Sequence, residues 1–426
     1  MIRTIARYGV RHVPGSMLAA LKAVVRGDGP RGPSIQEFEK RFAAYHGMQH
    51  AISTSYGRMA FYYTLKALDL PRDSEIIFPA LTFWVVPEMA RMLGFRPKFV
   101  DIDPGTFNMD PAKFEAAITP DTRAVVPTHL YGQPCDMDAI MASARTHGLF
   151  VIEDCAHALG ATYKGRKVGT FGNAAFFSFQ MLKPLNTYGG GMALSRDAAL
   201  AARIRVLAEA EEWPVARDVF KKFLFGNLLR KQIGPYGFTF TMFLAFYIAS
   251  FFGDYDLSRY LWEKIRPLDP LPDSYRQRYT NAQAMIGLEM LKNIDAFNAL
   301  NRAHAKKLTA GLAGIGTVQP PAIPAETESV YYQYCIRASD PDTLKLRAIR
   351  AGVDVEIMHV DICNVLDLFE PFKTKCPVAE ATEHTLQLPV YASLTDEDLD
   401  RIIKVIRTAC KIGSGVEAKR PYPAAK

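Results

Sequence analysis

From Ser34 onward the chain alternates short apolar runs with amphipathic stretches, and this limits the possible folds more than any other feature. MQHAIST, EIIFPA, KFVDI, AVVPTHL, LFVIEDC, AAFFSF and GMALS have the length and side-chain content of strands. Between them lie segments such as IQEFEKRFAAYH and MDAIMASARTHG, whose apolar residues recur at helical spacing. Strands separated by helices pair in parallel when each helix crosses over a sheet face. The expected fold class is α/β, a mostly parallel central sheet sandwiched by helices. Ligands of such sheets bind at the C-terminal ends of the strands.

One of those ends carries chemistry. LFVIEDCAHA delivers Asp154 at the end of an apolar run, and Lys183 follows in FFSFQMLKPLNTYGGG, a loop flanked by glycines. Singly, an aspartate after a strand is often a helix cap and a turn lysine is usually solvated. In this order the two suit a pyridoxal 5'-phosphate (PLP) site. The carboxylate keeps a pyridine nitrogen protonated, so that the ring draws electrons, and the amine forms the Schiff base.

Around this pair the chain resembles the DegT/DnrJ/StrS family of PLP-dependent sugar aminotransferases, of fold type I, from about Gly29 to Ala409. The resemblance rests on GPRGPSIQEFEKRFAAYHGMQHAISTS, SEIIFPALTFWVVPEMARMLGFRPKFVDIDPGTFNMD, ITPDTRAVVPTHLYGQPCDMDAI, the Asp154 and Lys183 segments, and LQLPVYASLTDEDLDRIIKVI. It implies that His157 lies by the cofactor ring and that Ser178 supplies a phosphate hydroxyl. Gly57, Arg58 and Met59 stand at the family's Gly-Thr-Ala phosphate turn, where an arginine replaces the threonine. Phe83 matches the aromatic that stacks on the ring, with Trp84 as the alternative. Arg276 stands where an asparagine reaches across a homodimer to the partner's phosphate. Gly189 replaces a glutamate, and MHVDICN replaces a His-Tyr pair; both departures bear on the substrate side. Relatives with histidine in place of the lysine dehydrate their substrates, so Lys183 favours amino transfer. The implied reaction moves an amino group, from glutamate, to a keto sugar carried on a nucleotide or a lipid. The rival readings are a membrane-resident lipid ketone as acceptor, and a non-catalytic PLP-binding regulator.

Composition narrows the partners. With 426 residues, 22% charged and a net charge of +7, the chain lacks the basic, aromatic-laced stripe of a nucleic-acid binder. Six cysteines show neither CxxC nor metal-ligand spacing, which fits reduced thiols in the cytoplasm and no metal site. Cys155, beside Asp154, reads as a small buried residue rather than a nucleophile.

Five segments are expected. Residues 1–30 form a basic amphipathic arm that packs on a partner subunit or on an anionic membrane surface. Residues 31–212 form the large PLP-binding domain and 271–412 a smaller α+β domain, with a disordered tail at 413–426. Between the domains, 213–270 is an insertion in which Gln232 to Gly253 carries no charge. Its apolar run falls short of the roughly 20 residues that span a bilayer. A packed hairpin, an interfacial membrane element held by Lys221, Lys222, Arg230 and Lys231, and an oligomer contact all remain open. The protein is therefore placed in the cytoplasm or peripherally on the inner face of the membrane.

Overall fold

A computed structural model describes residues 4–251, 263–357 and 360–411. Helices α1 (Ser16–Arg26) and α2 (Ser34–His46) precede the sheet. The sheet then grows through β1 (His50–Thr54), α3 (Gly57–Ala67), β2 (Glu75–Pro79), α4 (Val85–Met92), β3 (Arg96–Val100), α5 (Pro111–Ala117), β4 (Thr122–Val125), α6 (Met137–Thr146) and β5 (Phe150–Asp154). A short hairpin, β6 (Thr162–Tyr163) and β7 (Arg166–Lys167), leads to β8 (Ala174–Ser178) and β9 (Gly191–Ser195). The strand order is β1-β9-β8-β5-β4-β2-β3, and only β9 runs against the others.

Alternate residues enter opposite layers, as the pleat requires. Ile76 and Phe78 join a core with α3, α4 and α7 (Ala198–Glu209), whereas Ile77 faces α5 and α6. Further along the sheet, Ala175 and Phe177 pack beneath α2 and the long helix α11 (Asn281–Leu312). Both faces are covered, which is why these strands read as unbroken apolar runs.

The small domain pairs β10 (Val318–Gln319), β12 (Tyr334–Ala338), β14 (Thr385–Leu388) and β13 (Glu356–Ile357) in an antiparallel sheet, while β11 (Thr327–Glu328) extends the β6–β7 hairpin. Helices α12 (Pro341–Arg350), α13 (Pro377–Glu380) and α14 (Asp396–Lys411) complete it. Helix α11 runs from the large domain into the small one. Thr280 and Gln283 form a capping box at its start. Its first turns pack on Phe38 in the large domain, and its last ones place Ala305, Leu308 and Leu312 in the small-domain core.

Residues 4–27 are not a free arm. Ile5 bridges Val353 and is buried. The Arg7 guanidinium is buried too, donating to both Asp354 oxygens at 2.7 and 2.8 Å and pairing with Glu356 at 2.7 Å. Arg11 donates to Asn298 at 2.8 Å, and α1 packs on α11. The basic side chains that suggested a partner or a membrane are thus partly consumed inside their own chain. The insertion folds as α8 (Ala216–Ile233), α9 (Pro235–Phe240) and α10 (Met242–Ala249). Phe238, Phe243 and Phe246 seat it against Ala6 and Ile349, while Phe240, Leu244 and Phe251 remain exposed. Phe252 and the 413–426 tail lie outside the described residues.

Candidate active site

The end of β5 is clamped before its side chains are considered. Asp154 N–H donates to the Pro127 carbonyl at 2.9 Å, its own carbonyl accepts from His129 N–H at 3.0 Å, and Cys155 N–H reaches Phe176 at 3.0 Å. The neighbouring Glu153 side chain is fully buried and accepts from the Gly169, Phe171 and Gly172 amides, each at 2.7 Å. Its fourth partner is His129 Nε2 at 3.1 Å, whose Nδ1 accepts from Cys135 N–H. Cys155 joins these two in a cluster of metal-ligand type. Here, however, the carboxylate is saturated by backbone donors, and burial holds the thiol well above its usual range. The cluster reads as a brace beneath Asp154.

Lys183 comes from a loop pinned at both ends. Its N–H donates to Gln180, and the Thr187 and Gly189 amides both return to the Phe179 carbonyl at 3.1 Å. Gln283, at the start of α11, donates to the Gly189 carbonyl at 2.9 Å, and Arg11 reaches the Pro184 carbonyl at 3.2 Å. Gly190 has φ +114° and lies so close to Tyr279 that a Cβ would run into the ring. The glycines are therefore needed to turn the loop back into β9.

The two side chains share a cavity of about 380 Å³, lined also by Gly57, Arg58, Phe83, His157, Ser178 and Tyr332. Burial pushes Lys183 down and Asp154 up, toward their neutral forms, and the attraction between them opposes both shifts. Asp154 Oδ1 also accepts from Ala156 N–H at 2.9 Å, which favours the carboxylate. At the N-terminus of α3, Gly57 approaches so closely that a Cβ would lie 2.8 Å from that of Ser178 and 2.9 Å from the Phe177 carbonyl. That leaves backbone and hydroxyl side by side at the positive end of a helix, a natural anion cradle.

Not every expected residue reaches the cavity. Met59 is wholly buried, and its amide donates to Tyr56, so it contributes no wall to the cavity. Arg58 turns inward rather than to solvent. Its guanidinium lies near the Tyr56, Phe83 and Tyr275 rings, bonds the Tyr275 hydroxyl and pairs with Glu263 at 2.8 Å. Phe83 lines the cavity, whereas Trp84 is buried in the core, its backbone N–H donating to the Asp361 carboxylate at 3.0 Å. His157 stacks on Tyr332 at 4.3 Å and accepts weakly from Tyr131 N–H at 3.4 Å. Arg276 is not in its own chain's cavity; it is exposed and lies 3.5 Å from Glu211. Met358 and His359 of MHVDICN lie outside the described residues.

Tyr8, Tyr332 and Glu263 were not expected in the cavity wall. Tyr8 donates to Glu356 at 3.0 Å, and the Lys183 ammonium lies 4.9 Å from the Tyr332 ring centre. No local pattern marks these residues, because each reaches the site from an element remote in sequence.

The set fits PLP. A buried carboxylate suits the pyridinium nitrogen, the amine suits the aldehyde carbon, and the α3 cradle with Ser178 and Arg58 suits the phosphate. The comparisons agree. The DegT/DnrJ/EryC1/StrS aminotransferase family profile matches residues 16–226 and 258–407. GDP-perosamine synthase of Caulobacter vibrioides is 34% identical over 88% of this chain and 90% of its own. A pleiotropic regulatory protein of Geobacillus stearothermophilus is 31% identical over 88% of this chain and 89% of its own. Aminotransferase TlmJ from Streptoalloteichus hindustanus superposes with a TM-score of 0.77 at 25% identity, covering 96% of this chain and 100% of that one. With the profile spanning most of the sequence around this cavity, the chain belongs to the DegT/DnrJ/EryC1/StrS aminotransferase family, whose enzymes work with PLP.

Proposed function

We propose that the protein transfers an amino group from glutamate to a keto sugar carried on a nucleotide, with PLP as its cofactor. The observation that carries this reading is that buried Asp154 and half-buried Lys183 face one cavity that also contains the N-terminus of α3. Bound there, PLP supplies an electron sink and an aldehyde that accepts the amine. Asp154 holds a proton on the ring nitrogen. Lys183, its ammonium form disfavoured by burial, carries the proton to and from the substrate carbon. Gly57, Ser178 and Arg58 hold the phosphate, and Phe83 and Tyr332 exclude water from the reacting carbon. GDP-perosamine synthase supports a nucleotide-linked acceptor, and the exposed apolar insertion favours a lipid-linked sugar or lipid ketone as the second reading. A purely regulatory role, suggested by the Geobacillus relative, has no use for the Lys183–Asp154 pair.

The working unit in this reading is a homodimer with shared sites. Arg276 is exposed outside its own cavity, available to a partner's phosphate. Six unpaired cysteines support a reducing, cytoplasmic setting. The test is incubation of PLP-loaded protein with glutamate, then with nucleotide-linked keto sugars. The expected result is 2-oxoglutarate release with loss of the visible absorbance, reversed by an acceptor. No 2-oxoglutarate from glutamate would remove the proposal.

A further inference from the structure

Helices α8–α10 present a surface that the amino-transfer reaction does not use. On α8 only Val219, Phe223 and Gly226 face inward, while Phe220, Leu224 and Leu228, four residues apart, face outward beside Phe225. Helix α10 has no charged residue; Phe243 and Phe246 are buried, but Leu244 and Ile248 are half exposed. Tyr236 and Phe240 on α9, which packs against both neighbours, continue the uncovered face. A helix that is apolar all round is normally buried. Uncovered on one side across three adjoining helices, such a surface marks an interaction site.

The charges choose the occupant. Between Arg217 and Phe251 the sequence holds five basic residues and one acid, Asp218. Lys222 turns toward the Tyr56 ring and Arg230 donates to Asn227, but Arg217, Lys221 and Lys231 are exposed on the outward side of α8. A second copy docking through the same patch would set these cations against themselves, because a two-fold contact pairs a surface with its own image. An anionic bilayer complements both features. Among the described residues no helix is long and apolar enough to cross a membrane. We infer that α8–α10 lie in the plane of an anionic leaflet, with Phe225, Leu228, Phe240, Leu244, Ile248 and Phe251 in the headgroup–acyl boundary and the lysines at phosphate level. This stands apart from the identity of the acceptor.

Sedimentation of the full, PLP-loaded chain with vesicles tests the inference. Phosphatidylcholine vesicles containing phosphatidylglycerol should bind at least tenfold more protein than pure phosphatidylcholine at low salt, and added salt should reduce the excess. Leu244→Glu with Ile248→Glu should lower binding tenfold or more, leaving visible absorbance and gel-filtration volume unchanged. Lys221→Glu with Lys231→Glu, confined to exposed side chains, should erase the preference for anionic lipid even if the first variant misfolds. Protein that stays in the supernatant with anionic vesicles at low salt overturns the inference. So do unaltered binding by the charge variant, and an apolar variant that changes oligomeric state but not binding. Loss of PLP absorbance in the wild type would count against the cofactor reading and leave this one standing.

Discussion

Helices α3 and α8 have similar shares of large apolar residues and opposite fates. In α3, eight of eleven residues are buried, and the helix lies on β8 and β9 with its N-terminus held at the cavity. In α8, three of eighteen are buried, and the family profile breaks off at residue 226, within the helix. The cavity is built from parts locked by strands, amides and glycine contacts, as pre-organised chemistry demands. The insertion instead keeps apolar side chains in reserve on its outer face. Apolar content alone therefore does not tell a core helix from a docking helix; the neighbours do.

The sharpest test of the contrast is at Lys183. Lys183→Ala should abolish the visible PLP absorbance and lower turnover by at least about 10⁴-fold, above about 5 kcal/mol of barrier, and should leave vesicle binding intact. Asp154→Asn should keep the phosphate-bound cofactor and lose about a thousandfold in kcat, near 4 kcal/mol. Turnover within about tenfold of wild type would show that the ring nitrogen does not depend on this carboxylate.

Within α8 the two faces should differ by themselves. Phe223 is fully buried, so Phe223→Ala should destabilise by about 3 kcal/mol or more in denaturant titration. A cost near zero would mean that the insertion is not docked on its own chain.

Acid should attack the catalytic half first. His46, buried among Phe42, Tyr45 and Phe177, has its pKa pushed down to about 4 by burial, against 6.5 for an ordinary imidazole. Folding thus favours the neutral ring, a contribution fully present above about pH 6.5 and lost as pH falls toward 4. The loss should be at most about 3 kcal/mol. His46→Gln should flatten the stability profile across this window; an unchanged profile would place the acid sensitivity elsewhere. The smallest effect belongs to Phe225→Ala, on the exposed face of α8. It should change stability by less than about 0.5 kcal/mol, while weakening vesicle binding.

Much of this was legible in the residues. Seven strands were visible as apolar runs because both sheet faces are covered, and Asp154 was visible because its run ends in it. Lys183 stood out through Gly189, Gly190 and Gly191, which the loop needs to return to β9. Amphipathic spacing does not mark the start of α11, because its first turns, from Asn281 to Ile286, are buried on more than one side. Tyr8 and Tyr332 were hidden because they reach the cavity from segments far from β5 in the sequence. The arm's contacts with its own chain were hidden by its charge: arginines suggest solvent or anionic partners, and nothing local announces that Asp354 and Glu356 will neutralise Arg7.

That last contact has a consequence for the order of assembly. Arg7 and Asp354 are 347 residues apart. At a synthesis rate of about 5–20 residues per second, the beginning of the chain waits roughly 17–70 s for its partner to emerge from the ribosome. The small domain therefore cannot close around Arg7 until Asp354 has been made. A bulky fusion placed before Thr4 would meet that closing step rather than the sheet, lowering the yield of finished molecules while leaving the large domain free to form.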